Sequence, residues 1–492
     1  MESAWSETLE VIISEGGGDH YNSPASRLIL TEVNWSSTWQ SQVQVTDVTG
    51  GSVVQVYYNT GTDRRGPFSL WNNGTGAAGS SVSFANIVST IDSLDPDPFA
   101  YGSTNGALEL ITQDESHLIQ AAVRTYNGGN SRTFPALTDC VTNTAALSRE
   151  LVIPNLSNDA DYRPSVALFN TGTCSMTLEV KIWGSDGTQI GSTMTRTLAG
   201  YEMSVLASEL RQDTYSNATV TVDVTSGTGR VLASGQTAHR TSSDPAAHVA
   251  VQGLGSFANS PGDHLVLTEV NWSSSWQSQV QITEMTSGSV VQVYYNTGTN
   301  RRGPFTLWDN SMAASWGSSV SFSNILATID ALDPDPFTYG STNGSLELLT
   351  QDGSHRIQAA VRTYNGGYSR TFPALGVNAA NTAGPGRKMM IPNLSNDADY
   401  RPSVVLFNTG SGSVTVAVKI IGSNGAQIGT TTTRTLAAHE MSVVASELRQ
   451  DTYSNATVTV EVTVGSDSVL ASGQTAHRMT GDPAAHLAVQ AE

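Results

Sequence analysis

Charge is scarce in this sequence. Only 14% of its 492 residues are Asp, Glu, Lys or Arg, against roughly 25% in ordinary globular chains, and lysine occurs only as Lys181, Lys388 and Lys419. The net charge of -19 repels phosphate and anionic lipid. No basic cluster exceeds Arg64-Arg65 and its copy Arg301-Arg302, so no nucleic-acid partner is expected. No apolar run approaches the ~20 residues of a membrane-crossing helix, so no membrane span is expected. Nucleophile elbows, zinc-protease helices, phosphate loops and zinc-finger cysteine pairs are all missing. The expectation is a protein that is not an enzyme and has no resident cofactor. The opening MESAWSETLE lacks the basic and apolar regions of a secretory leader. That leaves a cytosolic protein or the mature form of a secreted one, and the neutral, hydroxyl-rich composition favours an extracellular or cell-surface location.

Cysteine is almost absent too. Cys140 and Cys174 both fall in the first half of the chain, and the positions that match them in the second half hold Asn378 and Gly412. Two cysteines gained or lost together behave as a pair. The expectation is a disulfide that contributes roughly 3 to 4 kcal/mol in the chain-entropy model and implies an oxidising compartment; the alternative is two unrelated thiols.

The chain does contain a long repeat. TEVNW at Thr31–Trp35 returns at Thr268–Trp272, and IPNLSNDADYRP at Ile153–Pro164 returns at Ile391–Pro402. A unit of about 238 residues is therefore written twice, and such self-similarity has to be read before anything else. SVVQVYY (Ser52–Tyr58), LELIT (Leu108–Thr112) and ATVTVDVT (Ala218–Thr225) alternate and are rich in β-branched residues, as half-buried antiparallel strands are. Helix is expected only in brief stretches such as ANIVSTID (Ala85–Asp92) and ASELRQD (Ala207–Asp213).

Each unit divides again. Setting LILTEVNWSSTWQSQVQVTD against VIPNLSNDADYRPSVALFN places Trp39 over Tyr162 and Val43 over Val166. The predicted order is a tail (1–20), A1 (21–137), B1 (151–252), A2 (264–375) and B2 (389–492). The fold class is all-β: four tandem antiparallel β-sandwich domains of about 110 residues, joined by short stiff segments into a rod, with a short N-terminal strand. The B pattern, an "IP" strand, a polar loop with an aromatic, a strand ending in FNTG, then AG and ASEL, resembles the immunoglobulin-like β-sandwich repeats of bacterial secreted and cell-surface proteins. The resemblance implies a fold and an outside location, and carries no catalytic residue.

Several residue groups are candidates for chemistry. Asp95 and Asp97, with copies Asp333 and Asp335, sit two apart on Pro-stiffened loops, which suits calcium but equally suits turn formation. His239, Asp244 and His248 have zinc-ligand chemistry, although alignment makes His239 a strand residue. Asn34, Asn155 and Asn217 and their copies match glycosylation sequons. Trp35 and Trp272 are candidate contact surfaces for a sugar or a neighbouring subunit, whereas Trp39 aligns with a core aromatic. Finally Leu9, Val11 and Ile13 alternate in LEVIIS, which stands where a preceding B domain would end. That strand could be donated to another copy, or could pair with its own sheet. The leading expectation is a non-enzymatic structural subunit of an extracellular filament, sheath or surface layer. It would assemble head-to-tail with itself, B2 on the next A1, through a non-closing contact. The alternative is a secreted carbohydrate-binding or adhesin module that takes a glycan on exposed tryptophans.

Overall fold

The computed structural model describes residues 24–491, apart from 35, 37–38, 98–104, 128–129, 139–145, 147–149, 242–244, 250, 253–261, 274, 312–317, 336–342, 366–367, 378–381, 479–482 and 488. The LEVIIS strand, Trp35 and Cys140 lie outside the described residues. The expected strands form, and so does the short helix Ile87–Leu94. It starts at Asn86, whose side chain accepts a hydrogen bond from the Ser89 amide at 3.2 Å, the usual use of asparagine at a helix start. Its copy, Ile325–Leu332, starts at Asn324. ASELRQD yields only a single 3-10 turn, Glu209–Arg211.

The strands make eight small sheets, and these form an eight-bladed β-propeller. Around the ring, blade 1 holds Ser81–Phe84, Gln40–Asp47, Ile119–Asn127 and Asn130–Pro135. Blade 2 holds Arg27–Asn34, Asn105–Thr112, Val53–Thr60 and Asp63–Asn72. Blade 3 holds Met203–Leu206, Tyr162–Asn170, Val231–His239 and Pro245–Val249. Blade 4 holds Gln189–Leu198, Met176–Trp183, Tyr215–Ser226, Glu150–Asn158 and Val251–Gln252. Blades 5 to 8 repeat this pattern in the second half. Blade 5 centres on Gln277–Glu284, blade 6 on Gly344–Thr350, blade 7 on Tyr400–Asn408 and blade 8 on Tyr453–Val464. The strands of each consecutive pair of blades interleave along the chain. Asn130–Pro135, Pro245–Val249, Tyr368–Pro373 and Pro483–Leu487 close a circuit, each lying against two of the others, which ties the odd-numbered blades together.

The expected fold is therefore corrected. Four β-sandwiches of immunoglobulin-like type in a rod require sheets with one buried face each, whereas here both faces of most sheets are covered. Apolar cores fill the spaces between blades 1 and 2, 3 and 4, 5 and 6, and 7 and 8. The opposite faces are covered by the next blade. Between blades 2 and 3 lie Ile29, Ala107, Ala167, Phe169, Met203 and Leu232, and between blades 6 and 7 lie Val266, Val405, Phe407, Met441 and Leu470. The runs VALF (Val166–Phe169) and VVLF (Val404–Phe407) are continuously buried, the pattern of a strand covered on both faces.

The remaining seams, between blades 4 and 5 and between blades 8 and 1, are mostly polar. Their buried apolar contacts shrink to Val152 with Met285 and Met390 with Val48. The blade 8–blade 1 seam closes the ring inside one chain: the Ser81 amide donates to the Ser423 carbonyl at 3.1 Å. This places B2 against A1 of the same molecule, on the surface that a head-to-tail contact between molecules was expected to use.

Candidate binding clefts at two blade seams

Blade 4 turns toward blade 5 at two irregularities. Asn155 and Asn217 have φ of 66° and 55°, in the left-handed region where asparagine is among the few tolerated side chains. The pairing of Glu150–Asn158 with Tyr215–Ser226 shifts register beside both. Such bulges re-aim backbone groups, and the Asn217 carbonyl points across the seam. It accepts from Gln281 Nε2 at 3.1 Å and from Ser319 Oγ at 3.0 Å. Asn455 has a φ of 54° and does the same at the other seam, accepting from Gln44 Nε2 at 3.1 Å and Ser81 Oγ at 2.8 Å.

Beside this contact opens a cleft of about 170 Å³ lined by Asn155, Ser157, Asp159, Tyr162, Ser216, Asn217, Thr237, Gln279 and Arg362. Its residues are tightly fixed. Asp159 accepts from the amides of Asp161 and Tyr162 at 3.0 and 2.9 Å and from Ser216 Oγ at 2.7 Å. Arg240 clamps the same loop, donating to the Asp159 carbonyl and to Asn158 Oδ1, both at 2.8 Å. The Tyr162 ring meets the His239 edge at 5.5 Å. Across the seam, Arg362 Nη1 donates to the Tyr162 hydroxyl at 3.0 Å, with its guanidinium 5.3 Å from the ring centre. The copied residues keep the arrangement, with Arg124 donating to the Tyr400 hydroxyl at 3.1 Å.

Deeper in the seam, Gln281 Oε1, Thr283 Oγ1 and Thr219 Oγ1 are buried without a hydrogen-bond partner among the described residues, and so are Gln44 Oε1, Thr46 Oγ1 and Thr457 Oγ1 in the copy. Val280 and Ile282 point into the apolar core, as do Ala218 and Val220. The alternate residues of those strands therefore face one another across the seam. A buried polar atom left unpaired costs about 1–3 kcal/mol, and these seams have little buried apolar contact to offset it.

The far end of the blade 4 face carries an acid pair. Burial, and then the neighbouring Asp223 carboxylate, push the Glu150 carboxyl up to about 7. In blade 8 the matching position is Lys388. The folded protein holds this proton more tightly than the unfolded chain does. Stability therefore falls as pH rises from 4.5 to about 7. Glu150→Lys is expected to raise the melting temperature at pH 8, and Glu150→Gln is expected to be neutral at pH 4 and stabilising at pH 8. Thermal melts at the two pH values check this. Equal melting temperatures for Glu150→Gln and the parent at pH 8 would refute it.

The candidates drawn from sequence mostly land elsewhere. Trp272 is half-buried against the core shared by blades 5 and 6. Asp95 is a buried carboxylate paired with Arg65 at 2.7 Å, while Asp97 is exposed; Asp333 pairs with Arg302 at 2.6 Å, and Asp335 is exposed. Arg65 and Arg302 thus pair with two of these carboxylates, and no group of three metal-ligating side chains occurs among the described residues. Cys174 is exposed and in no disulfide among the described residues. The Asn34 and Asn271 side-chain amides donate to Asn105 and Asn343, and Asn155 is 8% exposed. Tyr162, read from the alignment with Trp39 as a core aromatic, is half-buried and lines the cleft instead, and Arg362 and Gln279 were not singled out. The available signal was the polar face of QSQVQ, with glutamine at every second position.

Fold and geometry together define an eight-bladed β-propeller with a polar cleft at one seam, whose hydrogen bonds recur among the copied residues at the opposite seam. No family model matches the chain, and no curated protein matches it. Among solved structures, a mutant Salmonella alpha-2-macroglobulin aligns over 95% of this chain at 10% identity with a TM-score of 0.11, a likeness that carries no argument. The chain spans 39% of the length of that protein. No helix among the described residues is long and apolar enough to cross a membrane.

Proposed function

We propose that this is a non-enzymatic binding protein of the cell exterior that takes neutral, hydroxyl-rich ligands, glycans above all, in its two seam clefts. The observation that carries the reading is the lining itself: three side-chain amides, three hydroxyls, a carboxylate, an aromatic ring and a guanidinium around one cleft. Paired amides and carboxylates match the donor-and-acceptor pattern of sugar hydroxyls, and a tyrosine face supplies an apolar platform beside them. Fixed polar groups in a concave site give orientation and specificity. The low charge of the chain and its acidic balance speak against polyanions. Binding surveys with neutral oligosaccharides, followed by calorimetry, test the proposal. The parent is expected to bind two ligands per chain, Tyr162→Ala one, and Tyr162→Ala with Tyr400→Ala none. Undiminished binding by the double variant would overturn it.

A further inference from the structure

We infer that the blade 8–blade 1 seam is an exchangeable closure, and that a second copy of this chain is its alternative occupant. The chain leaves blade 4 at Val251–Gln252 and its next strand, His264–Val270, lies in blade 6, so the two halves are covalently linked on that side of the ring, whereas blades 8 and 1 belong to the two ends of the repeat and meet through non-covalent contacts. The hydrogen bonds between blades 8 and 1 include Ser81 with Ser423 and the Asn455 carbonyl with Gln44 and Ser81; beside them blade 7 meets blade 1 through Arg124 with Tyr400 and through Pro483–Leu487 lying against Asn130–Pro135, contacts that part when the ring opens. Gln44, Thr46 and Thr457 bury oxygens there without a partner among the described residues. When the seam opens, the exposed face of blade 8 fits blade 1 of a second open copy by the same contacts. Exchange of identical elements between copies is a low-cost route to dimers and, where it does not close, to filaments.

The apolar contacts supply a key. Val152 packs on Met285 at one seam, and Met390 packs on Val48 at the other. Each seam joins one small and one large side chain, in opposite senses. Blade 8 placed on blade 5 would bring Met390 against Met285 and overpack the seam; blade 4 placed on blade 1 would leave Val152 against Val48 and underpack it. Both errors destabilise. Exchange between copies must therefore preserve the order first half, second half, first half, second half.

Full-length Val48→Met chain closes on itself with two methionines in the seam, and full-length Met390→Val chain closes with two valines. Exchanged with each other, they form two seams that each hold one methionine and one valine. After equal amounts are mixed and held near the unfolding midpoint, then returned to native conditions, light scattering coupled to size exclusion is expected to show at least about tenfold more mixed dimer than either variant gives alone. Tenfold corresponds to about 1.4 kcal/mol of restored packing. A parent carrying Ser81→Cys and Ser423→Cys is expected to stay monomeric when oxidised and to exchange again when reduced. As an independent readout, parent chains labelled separately with donor and acceptor dyes are expected to develop energy transfer under the same treatment. No excess of mixed dimer over the separate variants, or no energy transfer while hydrogen exchange reports an open seam, would overturn the inference.

Discussion

Phe407→Ala is expected to lower the unfolding free energy by about 3–5 kcal/mol, the usual cost of emptying a buried aromatic site. Phe407 is fully buried, but not in the core shared by blades 7 and 8. It lies on the opposite face of its strand, against Val266, Leu375 and Met441. Phe169→Ala, its counterpart between blades 2 and 3, is expected to behave alike. In a row of separate domains both rings would be on the outside, and their loss would change stability by no more than about 0.5 kcal/mol. Urea titration of both variants therefore distinguishes sheets packed on both faces from a string of separate domains. Costs below about 0.5 kcal/mol would contradict the packing described here.

Glu347→Gln is expected to cost about 3 kcal/mol and to change how the protein responds to acid. Glu347 is fully buried between blades 6 and 7 and receives Arg301 Nε at 3.0 Å, His264 Nε2 at 3.2 Å and Asn296 Nδ2 at 3.0 Å. Burial on its own would raise this carboxyl. The hydrogen bonds from His264 and Arg301, with the guanidinium charge, override it and hold the group down to about 2. Removing one partner of a buried pair leaves the other charge uncompensated, at about 3–5 kcal/mol. The lower end applies because the Arg301 side chain keeps 31% of its exposure. The folded carboxyl releases its proton more readily than the unfolded one, so its contribution is complete above pH 4.5 and is lost as pH falls toward 2. His439, 3.8 Å from the same carboxylate, adds a second window. Burial, against the attraction of Glu347, lowers its proton affinity from the ordinary 6.5. Stability is therefore lost on acidification below about 6.5 as the unfolded chain takes up the proton.

The first half of the ring lacks this second window. There Glu109 is held by Arg27 at 2.7 Å and Arg64 at 2.8 Å, and Tyr201, at the position of His439, lies 4.1 Å from the Arg64 guanidinium. Between pH 7 and pH 5 acidification strengthens the parent through Glu150 and weakens it through His439, so in chemical denaturation His439→Tyr is expected to gain more stability than the parent over that interval. Equal changes in the parent and the variant would refute the assignment.

Alternation and turn chemistry made the strands readable one at a time, and the Asn86 and Asn324 helix starts were equally local. The second buried face was harder to see. In MTLEVKIW (Met176–Trp183) every other residue is half-buried, so alternation describes the strand fully. In YRPSVALFN (Tyr162–Asn170) seven successive residues are buried. That pattern asks for a neighbour on each side without saying which sheet supplies it, and here the neighbours are blades 2 and 4. The clefts were illegible for a related reason: Tyr162 and Arg362 lie 200 residues apart and meet only because the ring closes. Motif spacing reports what neighbours in sequence can do together, so it directed attention to Asp95 with Asp97 and to Trp35 and Trp272 instead. The duplication itself was plain, but a repeat is compatible with a row or a ring. The choice was made by residues such as Phe169, Phe407, Gln44 and Asn455.

The three lysines, so few in the sequence, all fall on blades 4 and 8. Lys181 and Lys419 hold equivalent positions on Met176–Trp183 and Val414–Ile421, and Lys388 lies on Lys388–Asn396. Each is on the sheet whose outward face meets the polar seams. Apart from the chain's amino terminus, amine-directed reagents can therefore attach only there. A sensor surface prepared by amine coupling would fasten the protein by blades 4 and 8, and blade 4 gives the cleft Asn155, Ser157, Ser216 and Asn217, whereas immobilisation through an engineered thiol on blade 2 or blade 6 would leave the cleft facing solution.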